Sequence, residues 1–314
     1  MTDVKIRKLA ERIGIDLIGF FSTEPLTECL PYLNTRDEAG FSTGFEGGPP
    51  QERINYQKQF PSAKAGIVIG ISNNQKLEIP DEKKARAKLA SVSWGKDYHQ
   101  VVKFRMNQLM NAINTEQEKN QKPLINYKLF VDNSPLVDRG SAYRAGLGFF
   151  GKNNCLINDK LGSFFFIGQI LVDSEILFAP SAFIENGCKE CRRCLDACPN
   201  GALGEGFSLN PSKCISYLTQ KKVLLPEEAS RITTYLYGCD ICQQVCPYNQ
   251  NLPETSEEFF WIDAETANPP IDEILKLTNK SFKIQFGKAA SGWRGKNVLM
   301  RNAQLVKKNK LKND

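Results

Sequence analysis

Hydrophobic positions along the N-terminal part of the chain switch between helical and strand periodicity. Apolar residues near helical spacing predict a helix over residues 3–13. Short apolar runs at 16–21 and 65–72 predict strands, the second fully buried. Between them, the segment GFEGGPPQER at 44–53 is rich in glycine and proline and favours a loop.

The same alternation continues further along the chain. Periodicity predicts a helix over 96–113 and strands over 126–132 and 161–173. Ser134 followed by Pro135 is typical of a helix N-cap with proline at the first helical position. Helices and strands thus follow each other throughout this region, which predicts an α/β fold.

Three regions follow from these patterns. Residues 1–180 are predicted to form an α/β domain, and 181–252 a cysteine-rich module. Residues 253–314 are predicted to be a helical C-terminal region. The end of that region is basic, with Lys307, Lys308, Lys310 and Lys312.

Composition narrows the class of protein. No stretch approaches 18 uninterrupted apolar residues, and the charged start MTDVKIRKLAERIG does not resemble a signal peptide, so we expect a cytoplasmic protein without a membrane segment. The 41 basic and 35 acidic side chains give a formal charge of +6, which permits an anionic partner without requiring one. Eight of the ten cysteines crowd between Cys188 and Cys246, which favours metal ligation over disulfides.

The cysteines form two related runs. The first follows the C-x2-C-x2-C-x3-C-P spacing of bacterial ferredoxins and consists of Cys188, Cys191, Cys194, Cys198 and Pro199. The second lacks its leading cysteine, where Leu236 stands, and consists of Cys239, Cys242, Cys246 and Pro247. Cys214 is the remaining cysteine nearby. The spacing predicts a ferredoxin-like module with two 4Fe-4S clusters.

The fourth cysteine of such a run ligates the other cluster in two-cluster ferredoxins. We therefore assign one cluster to Cys188, Cys191, Cys194 and Cys246, and the other to Cys198, Cys214, Cys239 and Cys242. Structural zinc is the alternative, although this pattern is denser than zinc needs. Cys29 and Cys155 lie outside the scheme and are interpreted as ordinary small apolar side chains.

Iron-sulfur clusters deliver electrons, so the N-terminal region is expected either to bind the group that receives them or only to dock partners of a non-catalytic electron carrier. RAGLGFFGKNN at 144–154 has glycines at G-x-G-x-x-G spacing, but no predicted strand leads directly into it and no helix pattern opens from it, so nicotinamide binding is unsupported. His99 is the only histidine, and a lone histidine near a helix start is usually structural.

Several segments resemble the epoxyqueuosine reductase family, in order along most of the chain. The most specific are VDNSPLVDRGSAYRAGLGFFGKNNCLIN and YGCDICQQVCPYNQ, at 131–158 and 237–250. GSFFFIGQIL, CKECRRCLDACPNGAL and CISYLTQ also match, with weaker matches in IGIDLIGFF, ERINYQKQFPSAKAGIVIG, WGKDYH and GWRGKNVLMRNAQLV. CISYLTQKK departs from the family's usual continuation, and many members continue into a helical-repeat extension.

The resemblance implies an oxidoreductase that reduces epoxyqueuosine to queuosine in the anticodon of tRNA, a step of queuosine biosynthesis. It implies two 4Fe-4S clusters that receive electrons from a reductant, and a cobalamin, whose cobalt they reduce. Asp97-Tyr98-His99 does not continue into the Asp-x-His-x-x-Gly motif, so no axial histidine is expected. A cobalamin-dependent reductase or dehalogenase of a small molecule remains an alternative function.

Asp132 matches the family's catalytic acid, which would protonate the opening epoxide; as an alternative it is a turn or helix-capping residue. Residues in matched segments are candidate cobalamin contacts: Arg53, Asp97, Tyr98, Asp132, Arg139, Lys152 and Asn154. Three more could bring a cluster close to the ring: Gly238, Cys239 and Asp240. Such charged side chains are otherwise simply solvated or paired at the surface.

Overall fold

The computed structural model describes residues 1–78 and 85–310. Contacts divide the chain into two compact units. The first unit comprises residues 1–72 and 99–190, and the second comprises 73–98 and the chain from 191 onward. The domain boundaries predicted from sequence remain a prediction, and residues 73–98 are the segment that the sequence pattern did not group with the cysteines.

The strands are β1 (Leu17–Ser22), β2 (Ala65–Ser72), β3 (Lys88–Leu89), β4 (Tyr127–Phe130), β5 (Phe149–Phe150), β6 (Leu156–Ile157), β7 (Phe165–Val172) and β8 (Tyr235–Tyr237). The α-helices are α1 (Asp3–Ile13), α2 (Leu30–Glu38), α3 (Pro50–Arg53), α4 (Tyr56–Gln59), α5 (Tyr98–Lys119), α6 (Asp138–Arg144), α7 (Arg193–Asp196), α8 (Ile215–Leu218), α9 (Pro226–Ser230), α10 (Ile241–Gln244), α11 (Ala264–Ala267), α12 (Ile271–Leu275), α13 (Asn279–Phe286) and α14 (Lys296–Lys310). No helix in the described part of the chain is long and apolar enough to cross a membrane.

The first unit is built on a four-stranded sheet in the order β1-β2-β7-β4, and every neighbouring pair is antiparallel. Strand β2 is buried along its whole length, as its uninterrupted run of small and branched apolar residues predicted. Strand β7 pairs with both β2 and β4 and is therefore the second inner strand. An antiparallel sheet with helices is a different architecture from the parallel sheet that alternating elements often produce.

Helix α5 packs against this sheet. Its apolar side chains, including Val102 and Met106, are fully buried. A Cβ atom at Gly168 of strand β7 would lie 2.5 Å from Val102, so glycine there permits the close approach of helix and strand. Cys29 is buried in the core of the same unit, and this burial raises the pKa of its thiol to about 11, as expected for an inert thiol.

Most predicted elements of the first unit are confirmed, with two errors. The predicted loop at 44–53 ends in helix α3, because proline fits the first turn of a helix. Helix α1 and strands β1, β2, β4 and β7 lie where the periodicity placed them, and α5 begins slightly later and ends later than predicted. The prediction that Ser134 caps a helix is wrong, because the next helix, α6, begins only at Asp138. The Oγ atom of Ser134 instead accepts a hydrogen bond from the N–H of Leu136 at 3.2 Å, forming a local turn.

The second unit contains the parallel pair β3–β8 and short helices in the cysteine region, followed by α11 to α14. Helix α14 packs against α9, α12 and β8. Two buried asparagines anchor it. Asn302 donates hydrogen bonds to the carbonyl oxygens of Thr219 and Leu236, both at 2.8 Å, and Asn309 donates to those of Ala229 and Ile232 at 3.0 and 2.9 Å.

The basic end of the chain is therefore partly engaged within its own unit. Lys307 pairs with Asp272 at 2.7 Å, and Lys310 donates to the carbonyl oxygen of Arg86 at 2.7 Å. Lys308 is exposed on the same helix, and Lys312 lies outside the described residues.

Candidate active site and cluster-binding region

Asp132 lies on the loop that follows strand β4. Its backbone has a φ of +49°, in the left-handed region that Asp and Asn tolerate better than most residues. Its side chain is 60% exposed, so the carboxylate can meet a ligand from solvent. It does not cap helix α6, whose N-cap residue is Val137.

The lone histidine lies beside this carboxylate. Nε2 of His99 is 3.7 Å from Oδ2 of Asp132 and 3.0 Å from Nδ2 of Asn133. The amide of Asn133 can donate to Nε2 only when that nitrogen carries no proton, whereas an ion pair with Asp132 requires a protonated ring. The sequence pattern indicates a structural histidine at this position, although it lies in the matched segment WGKDYH.

Asp138 is a second acid at this site, and sequence reasoning missed it. It is partly buried in the first turn of α6 and accepts a hydrogen bond from Nε2 of Gln169 on strand β7. Burial, and then the nearby charge of Asp132, raise the pKa of Asp138 to about 7, while Arg139 and Arg53 lower it by less. Asp138 can therefore hold a proton near neutral pH.

The raised pKa predicts a pH-dependent cost to stability. Because the native state binds this proton more tightly than the unfolded chain, stability falls as pH rises from about 4 to about 7 and levels off above. Asp138→Asn keeps the acceptor for Gln169 without the charge. We expect this variant to be more stable than wild type by about 1–3 kcal/mol above pH 7, discounted for partial exposure, with no advantage near pH 4.

Urea unfolding of both proteins from pH 4 to 8 measures this difference. Asp159→Asn, which changes an exposed aspartate, serves as the control, and its offset from wild type should not vary with pH. A constant offset for Asp138→Asn as well would contradict a raised pKa at Asp138.

The first-unit cofactor candidates surround this acidic pair or lie on the following loops. Arg53 and Arg139 are close enough to Asp138 to influence its pKa. Arg139 donates to the carbonyl oxygen of Asn154, and both residues line a small cavity of about 150 Å³. Lys152 donates to the carbonyl oxygen of Lys189 at 2.7 Å, so its ammonium group is engaged by the chain itself.

Two buried donors in the first unit lack a hydrogen-bond partner among the residues that the structure describes. They are Nε of Arg53 and Nδ2 of Asn153. Leaving a buried donor unpaired is costly, so such atoms are commonly satisfied by a ligand or water. Side-chain amide oxygens of a corrin are acceptors of the kind that both donors require. The residues present therefore fit a cobalamin, and Asn153 joins the candidates that sequence reasoning had identified.

The two cysteine runs have matching local structure, and all their cysteines except Cys188, at the end of the first unit, belong to the second unit. Helix α7 follows Cys191, helix α10 follows Cys239, and the two helices pack against each other. Cys198, Cys214 and Cys239 lie near enough for charge on one to raise the pKa of another. Their assignment to one cluster remains a prediction. The Sγ atom of Cys198 accepts the N–H of Ala202 at 3.2 Å.

Two of the thiols are buried enough to disfavour their ionised form. Burial raises the pKa of Cys214 and raises that of Cys239 to about 12. Bound iron would supply the positive charge that buried thiolates need. Within residues 1–78 and 85–310, no three Cys, His, Asp or Glu side chains converge on a single metal-ion position. A four-iron cluster does not require that, because each thiolate binds a different iron atom.

The other predicted cofactor contacts belong to the second unit. Asp240 is buried and accepts hydrogen bonds from the N–H and hydroxyl of Ser91, at 2.6 and 3.2 Å; burial raises its pKa to about 6. Its carboxylate therefore holds the turn after Cys239. The N–H of Asp97 donates to the carbonyl oxygen of Lys288 at 2.7 Å, and Tyr98 is buried at the start of α5.

Gly238 makes this turn possible, which predicts a large effect of substitution. Its φ is +70°, and an added Cβ would lie 2.5 Å from the Cβ of Ala90. Gly206 also has a positive φ, +66°, but nothing lies within 4 Å of an added Cβ. We expect Gly206→Ala to cost about 1–2 kcal/mol through backbone strain, and Gly238→Ala a further ~1–3 kcal/mol through the clash.

Urea unfolding of the two variants tests this expectation. Equal destabilisation would contradict it, because the variants share the backbone strain and differ in the contact with Ala90.

Comparison with known proteins identifies relatives of the whole chain. A family model described as "4Fe-4S double cluster binding domain" matches residues 187–249, which include all eight clustered cysteines. A model described as "Epoxyqueuosine reductase QueG, DUF1730" matches residues 53–133. An epoxyqueuosine reductase from Lactococcus garvieae is 38% identical over 95% of this chain and 84% of its own length.

Solved structures of such reductases share the fold. One, solved with an epoxyqueuosine-modified tRNA-Tyr stem loop, is 34% identical, with a TM-score of 0.89 over 98% of this chain and 80% of its own. Another, from Bacillus subtilis with its catalytic aspartate loop swung out of the active site, is 32% identical, with a TM-score of 0.89 over 98% of this chain and 81% of its own.

Proposed function

Because the chain belongs to the epoxyqueuosine reductase family, we propose that it reduces epoxyqueuosine to queuosine in tRNA. The observation that carries this proposal is the 38% identity to a named reductase along 95% of the chain. A relative solved with an epoxyqueuosine-modified stem loop supports tRNA as the substrate. The match of residues 187–249 to a double-cluster domain supports an oxidoreductase fed by two 4Fe-4S clusters.

The eight clustered cysteines would hold the two clusters in the cross-assigned sets. Arg53 and Asn153 would hold cobalamin by donating to its side-chain amides, because their buried donors need acceptors. Arg139 and Asn154 on the adjoining small cavity are further candidates. A cobalamin held there would supply the reducing equivalents, which it would receive from the two clusters. The electron donor to the clusters is a low-potential reductant. The protein works in a compartment that keeps thiols reduced, which we propose is the cytoplasm.

Removing an epoxide oxygen as water consumes two electrons and two protons, so the chain must supply protons at the substrate. Asp132 is the proposed first donor, because its carboxyl is exposed on a loop and could reach the epoxide oxygen. A relative's catalytic aspartate loop supports this role.

The second proton needs a store close to Asp132. Asp138 meets that need, because burial and the charge of Asp132 raise its pKa to about 7. Its proton would reach Asp132 through water, since its hydrogen bond to Gln169 fixes the carboxyl beside β7. His99, 3.7 Å from Asp132, would stabilise the carboxylate left after proton donation.

Reconstitution and turnover test this function. Protein purified with iron, sulfide and cobalamin, and supplied with a chemical reductant, should convert epoxyqueuosine in tRNA to queuosine, as measured by nucleoside mass spectrometry after digestion. Cobalamin should co-purify with the protein, as shown by a corrin absorption spectrum. Absence of turnover by protein that carries both clusters and cobalamin would overturn the function. A chain that holds clusters but no corrin would instead be an electron carrier.

A further inference from the structure

The second unit contains a cavity of about 690 Å³ that the proposed reaction does not use. Its volume is within the range of small-molecule binding sites. Asp132 is not among its lining residues. Side chains that form its wall include Gln75, Glu254, Trp261, Asp263, Phe286 and Ser291.

Trp261 gives the cavity a flat aromatic wall held in a fixed position. Its indole N–H donates to the carbonyl oxygen of Thr255 at 3.1 Å, and Thr255 is itself buried. The next residue, Ile262, is held through both its N–H and its carbonyl oxygen by the side-chain amide of Gln75, at 3.1 and 2.7 Å. The indole nevertheless remains 55% exposed. A rigid, exposed aromatic face is suited to stacking on another flat ring.

Ser291 is the clearest sign of a missing partner. Its side chain is 1% exposed, and its hydroxyl has no hydrogen-bond partner among the described residues. The hydroxyl lines the cavity, so a ligand that enters could satisfy it. A buried unpaired hydroxyl costs about 1–3 kcal/mol, which a bound polar group would recover.

The charges of the wall select the ligand's hydrogen-bonding groups. Glu254 and Asp263 contribute carboxylates, and hydrogen bonds from Thr266 lower the pKa of Asp263, so it stays ionised. No Lys or Arg is among the described residues that line the cavity. The interior therefore disfavours a phosphate and favours a ring that presents N–H donors to carboxylates.

Two positively charged side chains lie close in sequence to the wall residues and could bind the phosphate groups that the acidic interior disfavours. Nζ of Lys96 lies 3.6 Å from the ring centre of Phe259, and the guanidinium of Arg294 lies 3.6 Å from that of Trp293. Lys96 follows the wall residue Gly95, and Arg294 follows Ser291 by one turn of chain. Cations held on aromatic faces next to an acidic, aromatic cavity match a phosphate backbone beside an unstacked base.

We propose that this cavity binds an unstacked guanine-type base of the RNA substrate, separate from the nucleotide that reacts. This inference rests on the proposed function, because it assumes that RNA is the substrate. Guanine presents N–H donors at N1 and N2, which suit carboxylate acceptors, and a face that stacks on Trp261. The nucleotide tail of cobalamin also carries a flat base, but its benzimidazole ring has no exocyclic N–H donors and suits these carboxylates less well.

Binding of anticodon stem-loop RNAs tests the proposal independently of turnover. The host is Asp132→Asn holoprotein, in which the reaction is expected to be slow, and no reductant is added. Each loop nucleotide is replaced in turn by an abasic one, and affinity is measured with Trp261 intact and in Trp261→Ala. We expect one position, other than the reacting nucleotide, to lose roughly 5- to 100-fold in affinity when Trp261 is present and to lose little when it is absent.

Two milder variants guard against misfolding of Trp261→Ala. Ser291→Ala removes the buried unpaired hydroxyl, so the unfolding midpoint should stay the same or rise, while RNA binding should weaken several-fold. At the sensitive position, replacing guanosine by inosine, which lacks the 2-amino group, should weaken binding to the host but not to a Glu254→Ala variant, which has no acceptor there. Phe104→Ala, at an exposed aromatic residue of the first unit, is the control and should leave the position dependence unchanged.

Abasic effects that are equal with and without Trp261 at every position would overturn the proposal. If Trp261→Ala weakened the binding of cobalamin but not that of cobinamide, which lacks the nucleotide tail, the cavity would belong to the cofactor. That result would also overturn the proposal. Failure of the proposed function is distinguishable, because it would appear as absent turnover in wild type while the coupling between Trp261 and one base persists.

Discussion

Replacing Asp132 by asparagine is expected to lower turnover of epoxyqueuosine by roughly a hundredfold or more, the usual scale for losing a general acid. Asparagine keeps the size and polarity of the side chain but cannot donate a carboxylic proton. It also tolerates the left-handed backbone at this position, where φ is +49°, so the loop should keep its conformation. Alanine would confound the result by adding backbone strain.

Single-turnover measurements with pre-reduced cobalamin isolate this step from electron delivery. Iron content and the corrin spectrum of the variant should match wild type, and Asp159→Asn, at an exposed turn, should react normally. A normal rate for Asp132→Asn would remove this residue from the mechanism. A variant that had lost its clusters or cobalamin would instead show a structural role.

Cys214→Ala is expected to halve the iron content, from about eight to about four atoms per chain. Among the eight clustered cysteines, Cys214 is the one outside the two runs, yet Cys198 raises its pKa, and Cys214 in turn raises that of Cys239. These neighbours belong to the same proposed cluster. Losing one of four thiolate ligands should release that cluster and leave the other, ligated by Cys188, Cys191, Cys194 and Cys246.

Iron and acid-labile sulfide assays, together with the spin-resonance signal of the reduced protein, measure the loss. Cys155→Ala is the matched control, because Cys155 is also partly buried but lies outside the cluster-binding sequence. Unchanged iron in Cys214→Ala would show that the cross-assignment is wrong. Loss of all iron would show that the two clusters do not assemble independently.

Elements with strong periodicity were predictable from sequence, whereas pairings between distant segments were not. A continuous apolar run predicted strand β2, which is buried at every position. Strand β3 has two residues and pairs with β8, more than a hundred positions away, so no local pattern marks it. Residues 73–98 therefore could not be grouped with the cysteine region. Ser134 was misread because Ser-Pro also initiates turns.

The candidate site followed the same rule. Cysteine spacing is a local signal, and it predicted the double-cluster region that the family model matches. Asp138 was missed because its raised pKa arises from burial and from Asp132, which the fold brings near. A signal did exist in Gln169, a polar residue inside the apolar strand FFIGQILV. A buried glutamine requires partners, and one of them is Asp138.

Helix α14 has a consequence for the order in which the protein is made. Asn302 and Asn309 hold the carbonyl groups of segments that flank Cys214 and Cys239, and α14 is synthesised after all of the cysteines. Strand β3 is synthesised long before strand β8 and can pair only after β8 has been made. During translation the cysteine loops therefore emerge without their final supports. We expect stable iron incorporation to be a late event, which follows release of α14 from the ribosome.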